Sequence, residues 1–269
     1  MVVDKKILSQ GNKISFTSLG CPRNLVDSEV MLGILLQAGY EITPEVEDAD
    51  YLVVNTCGFL QAAREEGKDV IKELFEYKKP NAKIIATGCM VQKHKDELSN
   101  TFPDIHYYLG SGDVNSILEA IEGGKSGESI SSKKSYLEAG EVPRTLATPG
   151  HYAYLKIAEG CLKRCSYCII PSIKGSLQSK SIDQVLKEFK ALLSQGVKEI
   201  ILIAQDLGDY GKEWRNGESL ESLLKEIMKI EGDYWVRLMY LYPDEITSEL
   251  IHLMKEEPRI CPYLDMPIQ

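Results

Sequence analysis

Short apolar runs, each followed by a helical stretch, constrain this chain more than any other feature. Residues 14–19, 51–56, 83–87 and 106–109 read as strands. Helical patterns fill the gaps at 27–38, stopping at Gly39, at 62–79, ending before Pro80, and at 91–100. A further helix starts after Ser111-Gly112-Asp113, with Asp113 as its expected N-cap. The run Tyr51-Leu-Val-Val-Asn-Thr56 is almost continuously apolar, as a strand is when helices cover both faces of a parallel sheet. This order implies an α/β fold for residues 1–122, an open, doubly wound parallel sheet of the flavodoxin-like kind.

Composition changes at residues 123–150. Gly-Gly-Lys-Ser-Gly-Glu-Ser, Ser-Ser-Lys-Lys-Ser and then Pro143 and Pro149 read as a linker, with a short strand expected near the second domain. The alternation restarts over residues 151–269. Strands are expected at 152–158, 199–204 and 235–240, and helices at 221–230 and 245–256. Ser181-x-x-Gln184 resembles a capping box that opens a helix running to about residue 195. A fourth strand begins at 262–266 with no helix after it, so the βα units of this half read as an incomplete barrel.

The 269 residues are 43% hydrophobic and 26% charged, the profile of a globular chain with a sizeable core. No run approaches the ~18 apolar residues of a membrane span, and the first six residues lack the apolar segment of a signal peptide. A reducing cytoplasm is the expected location, where seven cysteines are metal ligands or plain buried thiols rather than disulfides. A net charge of -9 argues against a nucleic-acid binder, which needs a basic footprint. It suits a basic partner, or simply keeps the protein dissolved.

The cysteines carry the chemistry. Glu159-Gly160-Cys161-Leu162-Lys163-Arg164-Cys165-Ser166-Tyr167-Cys168 follows directly on a strand. Its three thiols lack the fourth ligand of a structural zinc site. On one short loop they can hold three corners of a cubane iron–sulfur cluster and leave one iron open to a small molecule. Tyr167, just before the third cysteine, can offer a flat face to an adenine. Cys21, Cys57 and Cys89 are 36 and 32 residues apart, yet each follows an expected strand by one or two residues. Carboxyl ends of parallel strands share one sheet edge, where open α/β folds bind ligands, so these three converge on a second site. Gly20, Gly58 and Gly88 beside them are expected to allow close backbone approach. Zinc at either site, or three ordinary buried cysteines at strand ends, remain the alternative readings.

C-x3-C-x2-C with an aromatic before the last cysteine resembles the loop of the radical S-adenosylmethionine enzymes. Together with Ser18-Leu-Gly-Cys-Pro-Arg-Asn24, Asn55-Thr-Cys57-Gly and Thr87-Gly-Cys89, it resembles the methylthiotransferases. Pro22-Arg23-Asn24, Tyr154-Leu-Lys-Ile-Ala-Glu-Gly160, Cys168-Ile-Ile-Pro-Ser-Ile-Lys-Gly175, Ala204-Gln-Asp-Leu-Gly-Asp-Tyr-Gly211, Arg237-Leu-Met-Tyr-Leu-Tyr-Pro243 and Tyr263-Leu-Asp-Met-Pro-Ile-Gln269 are similar to the branch that modifies a ribosomal protein, the RimO family. The tRNA-modifying branch, the near alternative, is expected to show Gly-Cys-Gln-Met-Asn in the first motif.

The resemblance implies two 4Fe-4S clusters and S-adenosylmethionine as cofactors. Cys161, Cys165 and Cys168 would hold the radical-forming cluster, and Cys21, Cys57 and Cys89 the auxiliary cluster that carries the sulfur. A 5'-deoxyadenosyl radical would take a hydrogen from the β-carbon of an aspartate in the twelfth small-subunit ribosomal protein. A second S-adenosylmethionine would supply the methyl group. An electron donor such as flavodoxin or ferredoxin is implied, and neither a membrane nor direct nucleic-acid contact. Members of the family continue through further barrel strands to a C-terminal TRAM domain, so an inactive iron–sulfur fragment is the alternative of another class.

Other residues attract weaker readings. Cys261 sits in a Pro-rich turn and reads as a plain thiol. His94, His106, His151 and His252 share no ligand-like spacing. Gly110-Ser-Gly-Asp113 reads as a turn rather than a phosphate cradle. Lys163, Arg164 and Lys174 either steady an anionic group near the loop or are solvated. Gln205 and Asp206 are expected at the mouth of a barrel.

Overall fold

The computed structural model describes residues 12–131 and 143–267. The N-terminal segment read above for a signal peptide, part of the Ser/Lys-rich stretch of the linker, and residues 268–269 lie outside the described residues. The chain divides into two compact units. Residues up to 131 and the short run Pro143–Thr145 belong to the first, and residues from Leu146 onward to the second.

The first unit runs β1 (Lys13–Ser18), α1 (Pro22–Gln37), β2 (Glu41–Ile42), β3 (Tyr51–Thr56), α2 (Gln61–Tyr77), β4 (Lys83–Gly88), α3 (Cys89–Thr101), β5 (Tyr107–Gly110), α4 (Ile117–Glu122) and β6 (Gly127–Ser129). All its strands are parallel, in the order β2-β1-β3-β4-β5-β6. The chain leaves β1 in one direction to form β2 and returns past it to β3. The strand order therefore reverses between β1 and β3, and a crevice opens at their carboxyl ends. Leu52, Val54, Ile84, Ala86, Ile71 and Leu98 are among the buried residues of its core.

Local chemistry explains where the helices begin and end. α1 starts at Pro22, five residues before the expected position, because proline in the first turn lacks only an N–H that has no intrahelical partner anyway. It ends on a Schellman motif, Tyr40 N–H to Leu35 O and Gly39 N–H to Leu36 O, with Gly39 at φ 92°. Asp113 does not cap the following helix. A 3-10 turn at Val114–Ser116 comes first, and the Asp113 carboxylate accepts the Ser131 N–H at 2.8 Å instead. The short strand found in the linker stretch, β6, is not near the second domain as expected but pairs with β5 in the first sheet. Farther on, Pro143–Thr145 lies back on α1. Arg144 donates to Glu29 at 2.6 and 2.9 Å, and the Thr145 N–H reaches the Glu29 carbonyl.

The second unit runs β7 (Tyr152–Lys156), β8 (Ala158–Glu159), α5 (Ile170–Lys174), β9 (Gln178–Ser179), α6 (Ile182–Ser194), β10 (Glu199–Ile203), α7 (Leu220–Met228), β11 (Trp235–Met239), α8 (Ser248–Glu256) and β12 (Ile260–Asp265). Its main sheet is parallel in the order β12-β11-β10-β7. Ala153, Leu155, Ile200, Leu202, Val236, Leu238 and Ile260 share one core with Val185, Phe189 and Leu223 of the helices. The single strand expected over 152–158 is two: after Lys156 the chain turns and β8 pairs antiparallel with β9. The Ser181–Gln184 capping box forms in both directions. α8 begins at Ser248, after a 3-10 turn at Pro243–Glu245, because Thr247 accepts the Leu250 N–H and caps it there. Cys261 is in β12 rather than a turn, and burial pushes its thiol up. Among the described residues, no helix is long and apolar enough to cross a membrane.

Candidate functional site

Cys21, Cys57 and Cys89 follow β1, β3 and β4 directly, at the edge where the strand order reverses. Cys21 is the N-cap residue of α1 and Cys89 the first residue of α3. Each is partly exposed. The three glycines beside them close the loops on one another. A Cβ on Gly20 would lie 2.9 Å from the Cys57 Cβ, one on Gly58 2.8 Å from the Cys89 carbonyl, and one on Gly88 2.3 Å from Asn55 Oδ1. The close approach is therefore loop to loop, which brings the three cysteine segments into one layer.

Two buried asparagines cross this layer. Asn24 Nδ2 donates to the carbonyls of Leu19 and Thr56 at 2.8 and 3.2 Å. Asn55 Nδ2 donates to the Asn24 carbonyl and to Ser28 Oγ. Thr56 Oγ1 donates to the Thr87 carbonyl at 2.6 Å, tying the β3 end to the β4 end.

In the second unit Cys161, Cys165 and Cys168 lie on the loop between β8 and α5, each partly exposed. Tyr167 has 63% of its surface exposed, its ring uncovered by the rest of the unit. The Cys168 N–H bonds the Cys165 carbonyl, and the Cys161 N–H bonds the Gly175 carbonyl, so both ends of the loop are closed. Burial pushes the Cys161 thiol up, against the Lys163 N–H that donates to its sulfur at 3.3 Å.

Two charge clusters flank the loop. At its base Lys156 and Lys174 both hold Glu159, at 3.1 and 2.6 Å, and all three side chains are buried. Burial pushes the Glu159 carboxyl up, but the two ammoniums outweigh it and hold it at about 2. Beside the loop, Lys163 Nζ reaches Asp206, Asp209 and Glu245 at 2.5, 3.1 and 3.0 Å. Lys212 bonds the last two from the other side. Burial would lower the Lys163 ammonium, but its hydrogen bonds to Asp206 and Glu245 raise it well above its ordinary value.

Of the residues singled out from sequence, Lys163, Lys174 and Asp206 are thus engaged by protein partners. Gln205, just past the carboxyl end of β10, is different: among the described residues neither its amide oxygen nor its amide nitrogen has a partner, though both are buried. The histidines join neither triad. His94 sits at a kink in α3, His106 lies 3.4 Å from Ser126, and His151 packs edge-on against Tyr152. Asn24, Asn55, Glu159, Asp209 and Glu245 were not foreseen as site residues. Asn24 and Asn55 lie inside the cysteine motifs, which was the available signal.

Donor chemistry separates the candidate occupants. A tetrahedral zinc with sulfur at 2.3 Å would gather its thiolates within about 3.8 Å of one another. Among the described residues, the acidic group Asp206, Asp209 and Glu245 brings its ligand atoms within 4.8 Å, and its space is taken by two lysines. Each cysteine triad supplies three thiols, the donor set of a cubane cluster with one open iron.

Comparison with known proteins agrees with this architecture. Residues 13–110 match the Uncharacterized protein family UPF0004 and residues 155–269 the Radical SAM superfamily. The chain is 65% identical over 262 residues to the ribosomal protein uS12 methylthiotransferase RimO of Protochlamydia amoebophila, covering 97% of this chain and 55% of that one. It is 64% identical over 260 residues to the RimO of Chlamydia pneumoniae, covering 96% and 55%. The chain therefore spans about half the length of the curated relatives it matches. In fold it is similar to TsrM from Kitasatospora setae, a radical S-adenosylmethionine methyltransferase, with a TM-score of 0.60 at 15% identity over 91% of this chain and 57% of that one. The cobalamin-dependent radical enzyme OxsB gives 0.56 at 12% identity, over 90% and 40%. With a parallel α/β sheet carrying three cysteines and a second unit matching the Radical SAM superfamily, the chain is similar over almost its whole length to about half the length of the RimO methylthiotransferases.

Proposed function

We propose that residues 1–122 form an auxiliary-cluster domain joined through 123–150 to a radical S-adenosylmethionine domain at 151–269. In this reading the whole protein adds a methylthio group to the β-carbon of an aspartate in ribosomal protein uS12. The observation that carries it is the pair of three-cysteine sites in a chain 65% identical to a uS12 methylthiotransferase. Cys161, Cys165 and Cys168 would hold one 4Fe-4S cluster, and Cys21, Cys57 and Cys89 a second. Bound there, the clusters and S-adenosylmethionine would supply reductive cleavage to a carbon radical, and a sulfur for transfer.

The chain's own residues hold and orient. The Lys163 N–H fixes the Cys161 sulfur, and the carboxylates around its ammonium fix Lys163. The buried Lys156–Glu159–Lys174 group carries a net positive charge at the base of the loop, which favours electron density nearby. Gln205 offers an unpaired amide donor and acceptor that suit the polar part of S-adenosylmethionine, and Tyr167 offers a ring for its adenine. A basic ribosomal protein suits an acidic enzyme with net charge -9. A flavodoxin- or ferredoxin-type donor would deliver the electron in the cytoplasm, with no nucleic acid as substrate.

Anaerobic reconstitution followed by iron and labile sulfide counts tests the cofactor assignment. Roughly eight irons per chain are expected, falling to about four in Cys161→Ala and, separately, in Cys57→Ala. Four irons unaffected by Cys161→Ala would refute the second site; bound zinc without sulfide would refute both. For the substrate, the expected result is a methylthio mass increase on an aspartyl peptide of uS12. The same increase on tRNA nucleosides instead would overturn it.

A further inference from the structure

We infer that Asn24, braced by Asn55, is the positioning residue of the Cys21–Cys57–Cys89 site, a single amide that ties the segments entering Cys21 and Cys57 together beside Cys89. The inference rests on the cluster assignment above and adds the device that spaces its ligands.

The three segments have no covalent reason to stay in register, because each leaves a different strand. Asn24 meets every one of them. Its own backbone is three residues past Cys21 on the first turn of α1. Its Nδ2 hydrogens go to Leu19 O, on the chain entering Cys21, and to Thr56 O, on the residue entering Cys57. On the other side of the amide, Oδ1 lies 4.0 Å from the Cys89 sulfur and can accept its proton in the metal-free thiol. A planar amide is the side chain that offers two donors and an acceptor in fixed directions over this short reach. The two carbonyls also settle which end of the amide is nitrogen.

Asn24 is itself immobilised. It is 3% exposed, and its carbonyl accepts from both Asn55 Nδ2 at 2.9 Å and Ser28 Oγ at 3.1 Å. Ser28 in turn meets Ser18 Oγ at 2.8 Å. Gly20 packs against the same amide, with an added Cβ at 3.7 Å from Nδ2 and 2.9 Å from the Cys57 Cβ. Rotating Asn24 away would break its bonds to both carbonyls, one of them buried, so the bracket has one position.

The test isolates the first site in a Cys161→Ala background, where iron reports on Cys21, Cys57 and Cys89. Asn24→Asp keeps the size and the acceptor but loses both donors, and Asn24→Leu loses all three contacts. Both are expected to lose iron to an excess of chelator roughly 10- to 100-fold faster than the parent, the usual scale for residues that orient metal ligands. Tyr108→Phe removes the Tyr108 Oη–Phe102 carbonyl bond in the same unit, at 3.2 Å, without touching a cysteine segment. It is expected to lower the unfolding temperature of the iron-free chain while leaving the rate of iron loss within about threefold of the parent. Asn24 variants that release iron at the parent's rate overturn the inference. So does Tyr108→Phe accelerating release as much as they do, because the effect would then be general loosening. A parent that takes up no iron and sulfide overturns the cluster assignment and the positioning role together.

Discussion

Glu159→Gln should weaken the second unit more than any surface change of the same size. Glu159 is fully buried, and both cations that hold it, Lys156 and Lys174, have side chains no more than 4% exposed. Replacing the carboxylate with an amide removes the counter-charge that both ammoniums share in the interior. Breaking a buried ion group in this way typically costs about 3–5 kcal/mol. The depressed carboxyl points the same way. Held well below its ordinary range by the two ammoniums, it contributes stability at neutral pH in the same direction. In urea, with a slope of about 2 kcal/mol per molar, the midpoint of the second unit should fall by roughly 2 M. Anaerobic unfolding of the iron-free chain, followed by the fluorescence of Trp214 and Trp235, measures it, since both tryptophans lie in that unit. The pH dependence has a definite sign: a carboxyl depressed in the fold stabilises fully above about 4.5 and loses that contribution as the pH falls towards about 2. The Gln variant should lack this component. A triple variant with methionine at Lys156, Glu159 and Lys174 should be far less damaged, because it removes all three charges together. A midpoint shift below about 0.5 M for Glu159→Gln would refute the reasoning.

Three further outcomes follow from the geometry. Gly20→Ala places a methyl 2.9 Å from the Cys57 Cβ at a φ of 96°, and should cost about 1–3 kcal/mol in the first unit and reduce its iron uptake; normal uptake would show that the loops yield easily. Lys163→Met frees the cluster loop from Asp206, Asp209 and Glu245, so alkylation of Cys161 in the iron-free chain, followed by mass spectrometry, should accelerate severalfold. An unchanged rate would mean that the backbone alone holds the loop. Ser181→Ala removes the acceptor of the Gln184 N–H and should cost about 1 kcal/mol in the second unit, read from chemical denaturation.

What sequence could and could not reveal divides along the range of the interactions involved. β3 was legible because one face pattern decides it: five of its six residues are buried. The α6 capping box was legible because both partners are three residues apart. The convergence of Cys21, Cys57 and Cys89 on one edge followed from strand polarity alone. β6 was not legible, since its Gly-Glu-Ser sequence has no strand pattern and it forms by pairing with the open edge of β5. Nor was the role of Asp113, whose partner Ser131 is 18 residues away. The bracket at Asn24 and the carboxylates at Lys163 share this property. Lys163 meets Glu245 across 82 residues, a pairing that no local pattern records.

The two cysteine triads also differ in how much of the chain an occupant would cross-link. Thiols four and three residues apart at Cys161, Cys165 and Cys168 enclose almost nothing, so a group held there restricts the unfolded chain very little. Thiols 36 and 32 residues apart at Cys21, Cys57 and Cys89 enclose α1, α2 and three of the strands. Because loop-closure entropy grows as the logarithm of loop length, the wider triad should tie down the unfolded ensemble by about 4 kcal/mol more than the narrow one. A group bound in the first unit is thus also a topological staple, and its loss would be felt as melting of the sheet, whereas loss from the second would leave the unit's stability almost unchanged.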